Sequence, residues 1–145
     1  MAFCERLSEQ LAIVATIDPI ACTAVDLSEP VFSMALHRRA LFILQTGAAF
    51  GQATVLIQEN AAFAFTAATA TLLTGLVTDI TEPASQYLFE VSAEAMGDGM
   101  EYLRASLAGM TPTDVISMVV LADVERYHPG SDQNLLTTVI AGVAN

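Results

Sequence analysis

The chain has no lysine and no tryptophan, and it has only two cysteines, Cys4 and Cys22, and two histidines, His37 and His128. Each shortage excludes something. Five arginines stand against sixteen acids, for a net charge of -11, and phosphate contacts need clustered Lys or Arg, so nucleic-acid binding is excluded as a main activity. Two thiols without a neighbouring His or Cys cluster cannot complete a tetrahedral metal site. Nothing at the start of the sequence reads as a signal peptide, so both thiols are expected to be reduced. The expectation is a fold that needs neither metal nor disulfide. Charged residues are only 14% of the chain, and the acids are scattered from Asp18 to Asp132 without forming a run, the pattern of a solvated acidic surface.

What is present is apolar. Hydrophobic residues make up 54% of 145 residues, and the mean hydropathy is +0.54. That is more apolar material than one small domain hides inside itself, so part of it is expected to face a partner. Two stretches, Ala40 to Gln58 and Asn60 to Thr78, are uncharged and about long enough to cross a bilayer. The first is broken by Gly47 and Gly51, the second is rich in threonine and alanine, and neither is flanked by basic clusters. A membrane span is not expected.

The organising stretch is Arg38 to Gln58, RRALFILQTGAAFGQATVLIQ. Two apolar runs flank Thr46 to Gly51, which predicts a β-hairpin, and both alternate sets of side chains in the first run are apolar, as in a strand covered on both faces. Before it, Leu7, Leu11 and Val14 have helical spacing and Pro19 breaks the pattern, so residues 1–24 read as an N-terminal arm or short helix leading into a domain over 25–145. Ala24 to Ser28 is a candidate first strand, and Phe63 to Asp79 reads as one or two strands with Gly75 as a kink. Further on, Tyr87, Phe89 and Val91 alternate inward against Gln86 and Glu90, and Leu103, Ala105 and Leu107 do so against Tyr102, Arg104 and Ser106. Between these strands Ser92 is placed to cap one helical turn that ends near Gly97 and Gly99, a crossover from one sheet to another. Val115 to Tyr127 reads as a long central strand, and Leu135 to Val143 as a last strand or a docking tail. Seven or eight strands at roughly ten-residue spacing favour a mainly β, antiparallel β-sandwich, jelly-roll-like, with one short connecting helical turn.

The chemistry expected from motifs is nil: no catalytic, cofactor-binding or metal residues are assigned. There is no phosphate loop, no Gly-x-Ser-x-Gly elbow and no His-Glu-x-x-His. His37 and His128 each sit beside a turn, and the closeness of Ser131 and Asp132 to His128 in sequence does not make a triad. Asp98 with Glu101, and Asp123 with Glu125, match no calcium loop and read as surface acids. Arg104, with Tyr102 on the same strand face, reads as an arginine packed along a polar sheet face.

Three segments together carry a resemblance. Following an arm of Ile-x-Pro character at Ile17-Asp18-Pro19, RRALFILQTGA with QATVLIQ, the later YLFEVSAEAM with GMEYLRASL, and the ending VERYHPGSD after a long apolar strand resemble small head decoration, or cement, proteins of tailed bacteriophages, over about Arg39 to Asp132. The resemblance implies a virion structural protein on the phage head surface, made in the host cytoplasm, with the major capsid protein as partner. Separately, the two-sided apolar strands around Leu41 to Leu44 and Val115 to Leu121 predict a homo-oligomer, trimer or dimer, because one sandwich has only one interior, and no enzymatic activity, cofactor, nucleic acid or membrane is expected. This chain departs from the pattern in the apolar stretch Ala61 to Thr71, where a polar loop is expected. The competing reading is a ligand- or carbohydrate-binding β-sandwich of a tail or cell-surface structure, against which the missing tryptophan counts.

Overall fold

The computed structural model describes residues 11–21, 31–65 and 71–123, with side chains from 78 onward in the last of these stretches. Eight strands lie within them: β1 (Leu11–Ala21), β2 (Val31–Ser33), β3 (Arg39–Thr46), β4 (Ala53–Asn60), β5 (Thr71–Ile80), β6 (Gln86–Ser92), β7 (Tyr102–Ala108) and β8 (Val115–Asp123). They form two antiparallel four-stranded sheets, sheet I in the order β1-β8-β3-β6 and sheet II in the order β2-β7-β4-β5. β1 pairs with β8, β2 with β7, β3 with β6 and β4 with β5, so the chain doubles back on itself as one long folded hairpin. β3 also pairs with β8, and β4 with β7, which closes each sheet. This nesting is the double Greek key of a jelly roll, a β-sandwich as the strand spacing implies.

The core is built by alternation. Ala40, Phe42 and Leu44 of β3, Phe89 and Val91 of β6, and Ile116, Met118 and Val120 of β8 point inward from sheet I. Val55 and Ile57 of β4 and Leu103, Ala105 and Leu107 of β7 meet them from sheet II. Phe32 and Phe42 bridge the two layers with ring centroids 5.7 Å apart. Sheets packed face to face leave about 10 Å between them, which one layer of such side chains from each side fills.

Four expectations are corrected. Arg38 to Gln58 is not a hairpin: β3 belongs to sheet I and β4 to sheet II, and the loop over Gly47 to Gln52 carries the chain from one layer to the other. Gly47 N–H donates to the Val115 carbonyl at 2.7 Å, so this loop is tied to the start of β8 rather than closed on itself. The arm does not extend through residue 24, because Leu11–Ala21 is a strand of the sandwich, held by β8 along its length. Ser92 makes no side-chain cap to the 3-10 turn at Ala93–Ala95, although that turn does connect sheet I to sheet II. Finally, not all acids are on the surface: Asp114 is fully buried and Glu59 is 5% exposed. The candidate strand Ala24 to Ser28, the segment Leu135 to Val143, Cys4, Cys22 and His128 lie outside the described residues. Among the described residues no helix is long and apolar enough to cross a membrane.

Candidate functional site

The second face of sheet I is the feature that the core does not explain. Because side chains alternate, the residues between the buried ones on β3, β6 and β8 point away from sheet II. On β3 these are Leu41, Ile43 and Gln45, on β6 Gln86, Leu88 and Glu90, and on β8 Ser117, Val119 and Leu121. The register lines them up across the strands. Leu88 pairs with Ile43, and Ile43 with Val119; Leu41 pairs with Leu121, and Leu121 with Ile13 of β1. These six form two adjacent apolar rows on the outside of the sheet. Leu88, at the open end of one row, is 62% exposed, while the others are half-buried.

Polar groups mark the borders of this face. At one end the amides and hydroxyl of Gln45, Gln86 and Ser117 cluster, with Ser117 Oγ donating to Gln45 Oε1 at 3.2 Å. At the other end lies a polar cleft of about 690 Å³ lined by Arg38, Arg39, Glu90, Ser92, Ala93 and Glu94. Arg39 reaches Glu90 across the ladder at 3.5 Å, an exposed pair worth little in water. Beneath it, Asp123 Oδ1 accepts the backbone N–H groups of Arg38 at 2.7 Å and Arg39 at 2.9 Å. His37 Nδ1 lies 2.5 Å from the Asp123 carbonyl oxygen, which can only accept, so that nitrogen carries its proton and the ring closes the β2–β3 loop. The sequence candidate Asp123 is therefore a loop clamp, and its suggested partner Glu125 lies outside the described residues.

The outer face of sheet II is different. The chain after β4 folds back over it, and the Phe65 ring lies 4.6 Å from the Arg104 guanidinium. Arg104 Nε donates to Gln58 Oε1 at 2.8 Å, and burial pulls the guanidinium down from its ordinary value. Arg104 is thus packed along the sheet as expected, between an amide and a ring. Next to it Phe63 stands edge-on to Tyr102, with centroids 5.8 Å apart, and is 63% exposed. A hydrogen bond to Glu101, together with that carboxylate's charge and burial, raises the Tyr102 phenol above its ordinary value. Glu101 also accepts the Ser33 hydroxyl at 2.9 Å, so it is engaged with its own strand neighbours and not paired with Asp98.

Among the described residues no group of three His, Cys, Asp or Glu side chains is placed to hold a metal ion. Alternation on β3 and β8 marked both faces of those strands as apolar, and the structure puts one of these faces outside. Leu88 and Ile13 were missed as members of that face. The signal for Leu88 was present, as a leucine at an outward position between Gln86 and Glu90. Comparison with protein-family models and with curated proteins finds no match for this chain.

Proposed function

We propose that this chain is a virion structural protein, a decoration or cement protein that binds the major capsid protein and stabilises the shell of a phage head. The observation that carries the reading is the outer face of sheet I: six apolar side chains in register, outside a sandwich that already has a complete core. Exposed apolar patches of this kind mark protein contacts. The strand patterns that resemble phage decoration proteins support the same reading, while the jelly-roll topology serves capsid proteins, lectins and enzymes alike and decides nothing by itself. The action would be mechanical. Each copy bridges neighbouring capsid subunits, and a few kcal/mol per bridge suffice because many copies act together on one shell.

The test is binding of the purified chain to shells that lack it. Saturable co-sedimentation, with shells that then resist heat better, is the expected result; chain left in the supernatant at every concentration would end the proposal.

A second reading, a ligand- or carbohydrate-binding module, rests on the exposed Phe63 set edge-on to Tyr102 beside Arg104. An aromatic ledge with polar neighbours suits the apolar face of a sugar ring. Titration with a panel of glycans separates the two readings, since only this one expects a signal that Phe63→Ala removes.

A further inference from the structure

Each sheet has two edge strands, and three of the four carry devices that discourage further pairing. β1 has two register shifts against β8, between Ile13 and Ala15 and between Ile17 and Ile20, and includes Pro19, which has no N–H. β2 is three residues long. β5 loses register with β4 between Leu56 and Gln58. β6 has none of these. Its seven residues run in unbroken register with β3, from Gln86 opposite Gln45 to Ser92 opposite Arg39, without proline or lysine and with Glu90 as its only charge.

The hydrogen bonds that flank β6 show which of its groups are open. Thr46 N–H donates to the Ser85 carbonyl at 2.9 Å, and Ala93 N–H donates to the Arg38 carbonyl at 2.7 Å. In an antiparallel ladder bonded residues alternate, so Tyr87, Phe89 and Val91 also bond to β3. Gln86, Leu88, Glu90 and Ser92 turn their N–H and C=O groups the other way. Among the described residues no strand lies on that side.

We propose that β6 pairs antiparallel with β6 of a second copy, with Leu88 on the two-fold axis. An antiparallel pairing of one strand with itself is a closed two-fold contact and needs no further subunit. In this register Leu88 faces Leu88 of the other copy, and Gln86 faces Glu90 twice, an amide donor against a carboxylate. Three bonded pairs supply about six main-chain hydrogen bonds. A register centred on Glu90 would set like charges opposite each other, which costs stability. The charge of the chain favours the same edge: two copies at net -11 repel, and β6 brings them together along a strand with one acid, which Arg39 already approaches. Pairing here also joins the two outer faces, so that the row Val119, Ile43, Leu88 continues into Leu88, Ile43, Val119 of the second copy. The inference stands apart from the capsid reading, since the edge can pair whether or not a shell is the final partner.

Light scattering coupled to gel filtration tests it on the full chain at tens of micromolar. The expected mass is twice 15.3 kDa. Leu88→Pro removes an N–H that β3 does not use, so it should give a folded monomer; Leu88→Lys keeps the backbone intact and should give the same result if the proline variant fails to fold. In a Cys4→Ser, Cys22→Ser background, Leu88→Cys should cross-link into a dimer on oxidation, because bonded antiparallel partners lie about 5.5 Å apart at Cα, within disulfide reach. A monomeric wild type, a trimer, or a dimer that survives Leu88→Lys and does not cross-link through position 88 would overturn the proposal. Shell binding measured on the same samples reports on the capsid reading separately.

Discussion

Leu88 stands directly across the β6–β3 ladder from Ile43, on the side of the sheet that faces away from the core. Across the same strand Phe42 and Leu44 are fully buried. A strand that is apolar on both faces is usual for a sheet covered on both sides, and here sheet II covers only one. That outward side is therefore the part of the described structure whose composition packing between the two sheets does not account for.

That relationship gives the first prediction. The double substitution Ile43→Thr, Val119→Thr keeps β-branched residues on the outer face but makes its centre polar. Shell binding should fall below detection, while Tm should move by no more than about 4 °C, as for exposed positions in a domain of this size. Thermal unfolding followed by circular dichroism, beside the binding assay, checks both halves. A fall in Tm well beyond that range would mean the face is buried within the folded chain.

Asp114 holds two loops together. Its Oδ1 accepts Gly51 N–H at 2.9 Å and its Oδ2 accepts Thr111 N–H at 2.7 Å. Burial alone would push this carboxyl up, but those N–H groups and the Thr111 hydroxyl outweigh it and hold Asp114 below its ordinary value of 3.8. A folded-state value below the unfolded one means stability that is fully present above about pH 4 and is lost as pH falls through the folded value. Asp114→Ala should cost about 2–4 kcal/mol at pH 7, from lost charged hydrogen bonds and stranded donors. Urea unfolding at pH 7 and pH 3 should show the gap between wild type and variant narrowing in acid; an equal gap at both values would show that the ionised carboxylate is not what matters.

Gly47 is required by close approach. A Cβ there would lie 2.9 Å from Val115 Cβ and 3.2 Å from the Val115 carbonyl oxygen. Its own carbonyl accepts the N–H groups of Phe50 and Ala84, so the loop cannot move without breaking those bonds. Gly47→Ala should destabilise by about 1–3 kcal/mol, the usual cost of overpacking. Gly51→Ala is the control, because its Cβ would meet only Asp114 Oδ1 at an ordinary 3.7 Å. Equal midpoints for the two variants in denaturant would refute the steric account.

Truncation separates the arm from the sandwich. Removing residues 1–10 leaves β1 and its pairing with β8 whole, so the domain should fold with a cooperative transition. Removing residues 1–24 takes away an edge strand, together with Ile13 on the outer face, and should lower Tm sharply or abolish folding. If the arm is the anchor to the shell, the shorter deletion alone should release the protein from it; full occupancy by that variant would leave the outer face of sheet I as the anchor.

Local pattern made much of the sandwich legible. Tyr87, Phe89 and Val91, and Leu103, Ala105 and Leu107, are written as alternation, which depends only on neighbours one or two residues away. Pairing partners are not local. β3 lies between β6 and β8, far along the chain, and nothing near Gly47 to Gly51 distinguishes a hairpin turn from a bridge between sheets. Leu7, Leu11 and Val14 suggested a helix because helical spacing and a short β-branched run overlap at Ile13 to Ile17, and pairing with β8 decides the outcome. The buried acids were illegible for a similar reason: Asp114 is paired in part by the Gly51 amide on another loop, and Glu59 by Gly97 N–H at 2.9 Å. The outer face fell between these cases, since the sequence showed two apolar faces on β3 and β8 but not which one sheet II would cover.

If the chain is a head decoration protein as proposed, cryo-electron microscopy of the particle that carries it tests that claim most directly. The account predicts eight-stranded sandwich density seated over the joints between major capsid protein subunits, with Ile43, Leu88 and Val119 against the shell. A head with no such density, or the chain found only on the tail or outside the particle, would contradict it.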